Sequence, residues 1–321
     1  MRRIFLQPWI PASLPRAATV RGCVAVFAAS LVLSGQLSAQ DLEPRRWGHL
    51  PLGANFVGLG YIHTEGEIAL DPVLRLTDVE VTMDTAALKY IRTFEMFGKS
   101  ARFDLVQAYQ DGEWTGLLND VPASAQRSGF TDTTLRFAIN LFGAPPLEGA
   151  EFAQYRAGVD CETIVGAGLI VALPTGEYFS DKLINLGENR FSLRPQVGVV
   201  HARGKWSFEF TGAASFFTEN DDFFGGKELE QEPLVALQGH AIYTFRPGLW
   251  LGASVGYDFG GQSAIDGVDK DNRREILSWG LTCGVPVSRS VGFKFGYIDQ
   301  STQRQTGADL GNFVAAVSVM W

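Results

Sequence analysis

Apolar and polar residues alternate along most of the chain from residue 55 onwards. In the segment 249–259 the odd positions carry Leu, Ala, Val, Tyr and Phe, whereas most even positions are small or polar. The same alternation recurs at 277–285 and at 291–297. A period of two is that of a β-strand, because a helix would repeat its apolar residues every 3.6 positions. The pattern therefore predicts an all-β protein.

Twelve alternating segments can be delimited in this way. They cover residues 54–63, 79–97, 99–110, 131–142, 160–173, 190–201, 204–217, 233–245, 248–259, 274–286, 290–298 and 311–321. Four connections between them are very short, and most of the others run to about 12–20 residues rich in Asp, Glu, Gly and Asn. Short turns at one rim, long loops at the other and an even strand number are typical of bacterial outer-membrane barrels. The connection 143–158 is an exception, because it is too long for a short turn.

A sheet that spans a membrane must close on itself, because every backbone N–H and C=O in hydrocarbon has to be paired inside the protein. We therefore predict a closed antiparallel transmembrane β-barrel of about 12 strands over residues 54–321, with short periplasmic turns and long extracellular loops. The last strand ends at Trp321. A terminal aromatic residue resembles the signal that the barrel-assembly machinery recognises, so this machinery is an expected partner.

The first forty residues have the features of an export signal. Arg2, Arg3, Arg16 and Arg21 precede the apolar run 23–33, and small residues follow at 37–39. The apolar run is too short to span a bilayer. These features predict a Sec-type signal peptide over residues 1–39, cleaved near Ala39, and a location in the Gram-negative outer membrane. Residues 40–53 would then form a periplasmic N-terminal segment.

Composition excludes several classes of function. Cleavage of the signal lowers the Lys and Arg count from 27 to 23 against 35 acidic residues, which gives a net charge of −12. An acidic surface disfavours binding to nucleic acid. The mature chain has no apolar run of eighteen residues and hence no predicted transmembrane helix. The 36 glycines and 12% aromatic residues of the full sequence suit a closed β architecture.

Two cysteines remain after cleavage, Cys161 and Cys283. Neither belongs to a metal-binding Cys-x-x-Cys motif, and we predict no metal site and no cofactor. Both are expected to face lipid on strands that are not neighbours, which argues against a disulfide between them.

The facing rule assigns the charged positions to the interior. The apolar side of a membrane barrel points outward, so odd positions face lipid in most strands and the even positions, with their charges, face the lumen. In the strand 204–217 the even positions are the apolar ones, so Glu209 faces inward. The resulting candidates for lining or constricting the lumen are Arg92, Arg102, Asp104, Arg136, Arg190, Arg194, Glu209, His240, Asp258 and Lys294. These charges either pair across a narrow interior and make it rigid, or form a constriction that selects what passes.

The stretch PTGEY at 174–178, followed by DKLINLGENR at 181–190, is distinctive. Together with TENDD at 218–222, QEPL at 231–234 and HAIY at 240–243, it resembles the outer-membrane family named "putative MetA-pathway of phenol degradation". The likeness extends from about residue 50 to residue 321. It implies a barrel related to channels for long-chain fatty acids and aromatic hydrocarbons, whose members are often called transporters. The family has no established catalytic residues, and its phenol label reflects genomic association.

Two long loops carry further candidate residues. Asp181, Asn185 and Asn189 lie in a loop that either staples itself by side-chain–backbone bonds or serves as a substrate latch. Asp221 and Asp222 lie between two Phe-Phe pairs, which form either an apolar capture site or an aromatic girdle at the membrane interface. Acidic loops of this kind are candidates for divalent cations that bridge lipopolysaccharide, so this lipid and the surrounding membrane are expected partners.

The favoured function is passive uptake of small, apolar or aromatic compounds through the outer membrane, with such a solute as the small-molecule partner. One alternative is a structural or adhesion barrel without transport. Another is a barrel-embedded hydrolase, which would need a Ser–His pair with an orienting group. His240 is the only histidine predicted to point inward at mid-strand, and no serine has the sequence context of a nucleophile. We therefore do not expect an enzyme.

Overall fold

The computed structural model describes residues 42–69 and 76–321, so the predicted signal peptide lies outside the described residues. The described part forms seventeen strands and one helix. In chain order they are β1 (Asn55–Ala69), β2 (Leu76–Met96), β3 (Lys99–Leu118), β4 (Val121–Phe130), β5 (Thr133–Phe142), α1 (Gly149–Gly158), β6 (Cys161–Leu173), β7 (Ser192–Arg203), β8 (Trp206–Phe217), β9 (Asn220–Phe223), β10 (Lys227–Gln231), β11 (Leu234–Arg246), β12 (Leu249–Gly260), β13 (Ser263–Ile265), β14 (Val268–Asp269), β15 (Arg274–Pro286), β16 (Val291–Thr302) and β17 (Gly307–Met320).

Twelve of these strands form a closed antiparallel ring. The order around the ring is β1, β2, β3, β5, β6, β7, β8, β11, β12, β15, β16 and β17, and β17 pairs with β1 to complete it. At the seam Asn55 N donates to Trp321 O at 2.9 Å and Trp321 N donates to Asn55 O at 3.1 Å. The barrel predicted from alternation is confirmed, and its twelve strands coincide with the twelve predicted segments to within a few residues, except where β1, β3, β16 and β17 extend further at their extracellular ends.

Alternation separates two faces in each strand. In β12 the outward Leu251 is 49% exposed, whereas its inward neighbours Trp250 and Gly252 are buried. In β15 Leu281 is exposed and Thr282 is buried. A wall that is apolar outside and paired throughout by backbone hydrogen bonds is what a bilayer requires.

The sequence prediction for β2 was wrong about which face points inward. The odd positions of β2, among them Met83, Ala87 and Lys89, line the interior, and most even positions are exposed. Arg92, together with Glu80 and Asp84, therefore lies outside the barrel rather than in the lumen. Both faces of β2 are largely apolar, so charge was a poor guide to the inward face.

The outward charges of β2 mark the two edges of the apolar wall. Asp84 accepts hydrogen bonds from the Tyr61 hydroxyl at 2.6 Å and from the His63 ring at 2.7 Å, and Arg92 donates to Asn55 Oδ1 at 2.9 Å. Eight residues separate the two charges, which is about 26 Å along a strand. Because the strands of outer-membrane barrels are tilted by about 35–45°, this length corresponds to about 20 Å of height, close to their apolar band of about 25 Å. The two charges thus lie near the edges of the band, where polar headgroups or water can solvate them.

Four short strands missed by the sequence analysis lie in the long loops. β9, β10, β13 and β14 pair into a small sheet of their own. Phe223, Leu229 and Ile265 are buried together in that sheet. Phe223 therefore belongs to a loop core rather than to an aromatic girdle or a capture site. β4 is a further addition, which pairs with the outer half of β3.

The long connection that broke the loop pattern contains α1, on the periplasmic side between β5 and β6. None of the helices among residues 42–69 and 76–321 has the length and apolar character needed to cross a membrane. Cys161 and Cys283 are both free thiols.

Candidate functional site: the barrel lumen

The beginning of the described chain lies inside the barrel. Leu42, Arg46 and Trp47 are all buried, with Trp47 only 2% exposed. We call residues 42–48 the plug. The sequence predicts a periplasmic segment over residues 40–53, whereas residues 42–48 of that segment occupy the lumen. The physical reason is the apolar surface of Leu42 and Trp47, which the interior removes from water.

The Trp47 indole is seated in a slot made by missing side chains. A Cβ added to Gly198 or Gly166 would overlap the indole ring. The indole Nε1 donates to Thr211 Oγ1 at 2.9 Å, and the Arg136 guanidinium lies 5.1 Å from the ring centre. Glycines in β6 and β7 therefore create the space, and a hydroxyl and a cation satisfy the polar edge and the π-face of the ring.

Polar contacts hold the rest of the plug. Glu209 accepts a hydrogen bond from Arg45 N at 2.8 Å, and Arg46 Nη1 donates to Gln196 Oε1 at 3.2 Å. Lys89 Nζ lies 3.2 Å from Glu43 Oε1. The plug is thus fixed to β2, β7 and β8.

The chain leaves the plug along the periplasmic rim. His49 Nε2 donates to Pro145 O at 2.8 Å, and the His49 ring packs edge-on against Phe152 and Tyr155 of α1. Leu52 N donates to Leu147 O at 2.8 Å. The helix-containing turn therefore holds the base of the plug in place.

Asp104 is the centre of a cationic cluster low in the lumen. Its Oδ2 lies 2.7 Å from Arg102 Nη2, 3.7 Å from Arg136 Nη1 and 3.8 Å from Lys89 Nζ. One carboxylate is shared by three cations, so the cluster keeps a net positive charge.

An open cavity of about 530 Å³ occupies the other side of the lumen. It lies against β16, β17, β1, β2 and β3. Its apolar lining includes Phe56, Ile62, Ile68, Val81, Met83, Ile91, Trp114, Ile298, Leu310 and Val314. Within β1 the lining runs from Ile68, near the extracellular end, to Phe56, near the periplasmic end. Twelve residues of strand correspond to about 40 Å, so the cavity follows most of the barrel wall.

The extracellular side of the cavity is covered by the loop 174–191, which we call the roof. Asp132 Oδ1 accepts from Gly176 N at 2.8 Å and Asp132 Oδ2 accepts from Glu188 N at 2.9 Å. Asn185 bonds three backbone groups of its own loop, namely Phe179 N, Phe179 O and Lys182 O. The roof is therefore a folded lid, and Asn185 and Leu186 face the cavity.

Charges are buried within the roof. Glu188 Oε2 lies 3.1 Å from Arg190 Nε, and the Arg190 guanidinium lies 4.5 Å from the Phe217 ring centre. Burial raises the pKa of Glu188, and the attraction of Arg190 offsets only part of that rise. Burial also raises the pKa of Asp132, against the effect of its backbone hydrogen bonds. Both carboxyl groups thus bind a proton more readily than they would in water.

The remaining candidates fall into two groups. The side chains of Arg194, His240, Asp258 and Lys294 point inward from their strands. In the loops, Asn189 Nδ2 donates to Asn220 Oδ1 at 2.9 Å, whereas Asp181, Asp221 and Asp222 are exposed. No group of three or more His, Cys, Asp and Glu side chains in the described residues could hold a metal ion.

A Ser–His contact that the sequence does not predict lies between two neighbouring strands. His240 Nδ1 lies 2.8 Å from Ser254 Oγ, and both residues are buried. Glu209 is opposite His240 on the next strand but accepts from the plug backbone instead. The pair lies on the filled side of the lumen and is absent from the lining of the open cavity.

Comparison with solved structures shows the fold. The COG4313 outer membrane channel from Pseudomonas putida F1 aligns with a TM-score of 0.73 at 22% identity, over 87% of this chain and 99% of that chain. The translocator domain of autotransporter NalP from Neisseria meningitidis aligns with a TM-score of 0.47 at 11% identity, over 85% of this chain and 90% of that chain. The second likeness is too distant to carry any argument.

Comparison of the sequence shows the family. No curated protein matches the chain. The family model described as "Putative MetA-pathway of phenol degradation" matches residues 65–313, which is well over half of the chain. The resemblance found in the PTGEY and NLGENR motifs is thereby confirmed, and the chain belongs to this family of outer-membrane barrels.

Proposed function

We propose that this protein is a passive outer-membrane channel for small, apolar or aromatic compounds. The observation that carries the proposal is the open cavity, which follows the barrel wall from beneath the roof to the level of Phe56. A structural barrel of this size has no need for such a space, because interiors otherwise pack to the density of organic crystals.

The lining of the cavity supports the proposed class of solute. Its upper part is built from Ile68, Val81, Met83, Trp114 and Leu310, and water gains few hydrogen bonds there. A volume of about 530 Å³ lies in the range of small-molecule sites, about 300–1,000 Å³. An apolar solute of one aromatic ring would fit this space, and its apolar surface would be removed from water on entering it.

Both alternatives have less support. A hydrolase would need substrate access to the His240–Ser254 pair, and plug residues occupy that side of the lumen. An adhesion or structural barrel would account for the folded loops but leaves the cavity unexplained. The COG4313 structure, which aligns with the higher TM-score, is named as a channel. We therefore do not expect enzymatic activity.

The proposed route to the membrane follows the sequence signals. A Sec-type signal peptide cleaved near Ala39 would deliver the chain to the periplasm of a Gram-negative cell. The barrel-assembly machinery would then recognise the last strand, whose terminal Trp321 is exposed on the barrel. The acidic loops would meet lipopolysaccharide, with divalent cations between the two sets of charges.

Conductance and flux of the purified full chain test the proposal. We expect discrete single-channel steps in planar bilayers, and uptake of small aromatic solutes by proteoliposomes that exceeds uptake by protein-free liposomes. A folded barrel, verified by its heat-modifiable mobility on SDS gels, that gives neither steps nor flux would support a structural role instead. Ester hydrolysis that disappears in His240→Ala would support the hydrolase.

A further inference from the structure

Two lysines line the lower part of the open cavity. Lys89 projects inward from β2 and Lys294 from β16, on either side of the β17–β1 seam. Lys89 lies 3.2 Å and 3.3 Å from the two carboxylate oxygens of Glu43. Lys294 forms no ion pair within 4 Å in the part of the chain that the structure describes. One ammonium group is thus available in a largely apolar space.

The surroundings of these lysines carry an excess of positive charge. Among the residues that the structure describes, the cations are Lys89, Arg102, Arg136 and Lys294, and the anions are Glu43 and Asp104. The difference is two positive charges. Arg45 and Glu209 lie beside this group and add one charge of each sign. Buried cations in excess of carboxylates are costly unless an anion joins them.

The carboxylates at the other end of the cavity are already engaged. Asp132 accepts two backbone hydrogen bonds, and Glu188 is paired with Arg190. The cavity is therefore polarised, with apolar walls and occupied acids beneath the roof and an available ammonium group near the floor.

We propose that the open cavity binds amphipathic carboxylates, with an aryl or short alkyl body against the apolar wall and the carboxylate at Lys294 and Lys89. This inference rests on the proposed function and names the solute class for it. A carboxylate would form charge-assisted hydrogen bonds with the Lys294 ammonium group. A neutral hydrocarbon would leave this group without a hydrogen-bond partner. A single available lysine also matches one negative charge rather than two.

Matched solutes separate the charge from the shape. The probes are 4-methylbenzoate and 4-methylbenzamide, which are close in shape and differ in charge at pH 7.5. Binding to the purified full chain is measured by calorimetry, and entry into proteoliposomes is measured against protein-free liposomes. We expect the wild-type protein to bind the carboxylate at least tenfold more tightly than the amide.

Three variants test the assignment to Lys294. We expect Lys294→Met to weaken carboxylate binding roughly tenfold or more, as expected for a lost charged partner, and to leave amide binding within about twofold. Lys294→Arg should retain carboxylate binding. Lys205→Met is the control, because Lys205 lies over the Tyr243 ring at the turn between β7 and β8, away from the cavity. Heat-modifiable mobility verifies that each variant is folded.

The outcomes are distinguishable. Equal binding of the two solutes by the wild type, or equal loss of both in Lys294→Met, overturns the carboxylate inference and leaves the channel intact. Failure of a folded wild-type protein to bind or transport either solute overturns both the inference and the proposed function.

Discussion

The lumen is filled on one side and open on the other. On the side of β6, β7 and β8, glycines leave a slot that Trp47 occupies, and a Cβ at Gly198 would overlap the indole. On the side of β17 and β1, a Cβ at Gly58 would meet its nearest atom, Val317 O, only at 3.6 Å. Glycine thus serves two purposes. Gly198 leaves space that the Trp47 side chain fills, and Gly58 leaves space that stays open.

This difference shows how the lumen of a twelve-stranded barrel can be partly filled by its own chain and still contain open space. Twelve strands enclose more space than their own side chains fill, whereas eight-stranded barrels are packed by theirs. Residues 42–48 fill part of the excess space, and the cavity beside β17 and β1 is left open. Loss of the plug should therefore open the filled side, and added bulk should close the open side.

The largest effect is expected from Trp47→Ala. Truncating a buried tryptophan costs about 3–5 kcal/mol, which should release the plug and raise single-channel conductance several-fold. Trp206→Ala is the matched control, because Trp206 is exposed on the outside of β8 and stacks on Phe208. Unchanged conductance in Trp47→Ala would show that the plug does not close its side of the lumen.

A smaller effect of the same kind is expected from Gly198→Ala. The new methyl group overlaps Trp47, and overpacking of this kind costs about 1–3 kcal/mol. Trypsin should then cleave after Arg45 or Arg46, which the docked plug protects. Gly58→Ala is the same substitution on the open side and should leave the protein resistant, with a change in stability within about 0.5 kcal/mol. Equal sensitivity of the two variants to trypsin would show that the filled and open sides of the lumen do not differ in this way.

The smallest effect is a pH dependence of the roof. Burial raises the pKa of Glu188 in the closed roof above its value in a solvated loop. The closed roof therefore binds the proton more tightly, and its stability is full at acidic pH and falls as the pH rises through the raised pKa. We expect slower hydrogen exchange in residues 174–191 as the pH falls from 7 towards the ordinary glutamate value of about 4.3, after correction for the intrinsic rate.

Glu188→Gln provides the control for this prediction. The amide keeps the shape of the side chain and cannot titrate, so the protection of the roof should lose the part of its pH dependence that Glu188 contributes and keep the part contributed by Asp132. Faster corrected exchange on acidification of the wild-type protein would contradict the assigned direction.

The strands were predictable because each obeys a local rule. A strand such as β12 alternates over its whole length, and its register follows from which face is apolar. The prediction of the inward face of β2 failed because both faces of this strand are largely apolar. The charged positions were therefore taken to mark the inward face. Arg92 is an outward charge at the edge of the membrane, and position along the strand would have indicated this.

The plug and the loop sheet were not predictable in the same way. Residues 42–48 have no periodic pattern, and their position depends on glycines more than 110 residues away in the sequence. A local signal did exist, because Trp47 is an unusual residue for a solvated periplasmic linker. β9, β10, β13 and β14 have two to five residues each, which is too short for alternation to be recognised.

Obstruction of the open side of the lumen shows whether solutes pass along it. Ala87 lines the cavity, whereas Ala241 of β11 points to the lipid face. We expect the single-channel conductance of Ala87→Trp to fall below about a tenth of the wild-type value and that of Ala241→Trp to remain close to it. Wild-type conductance in a folded Ala87→Trp barrel would mean that the open side of the lumen is not the passage.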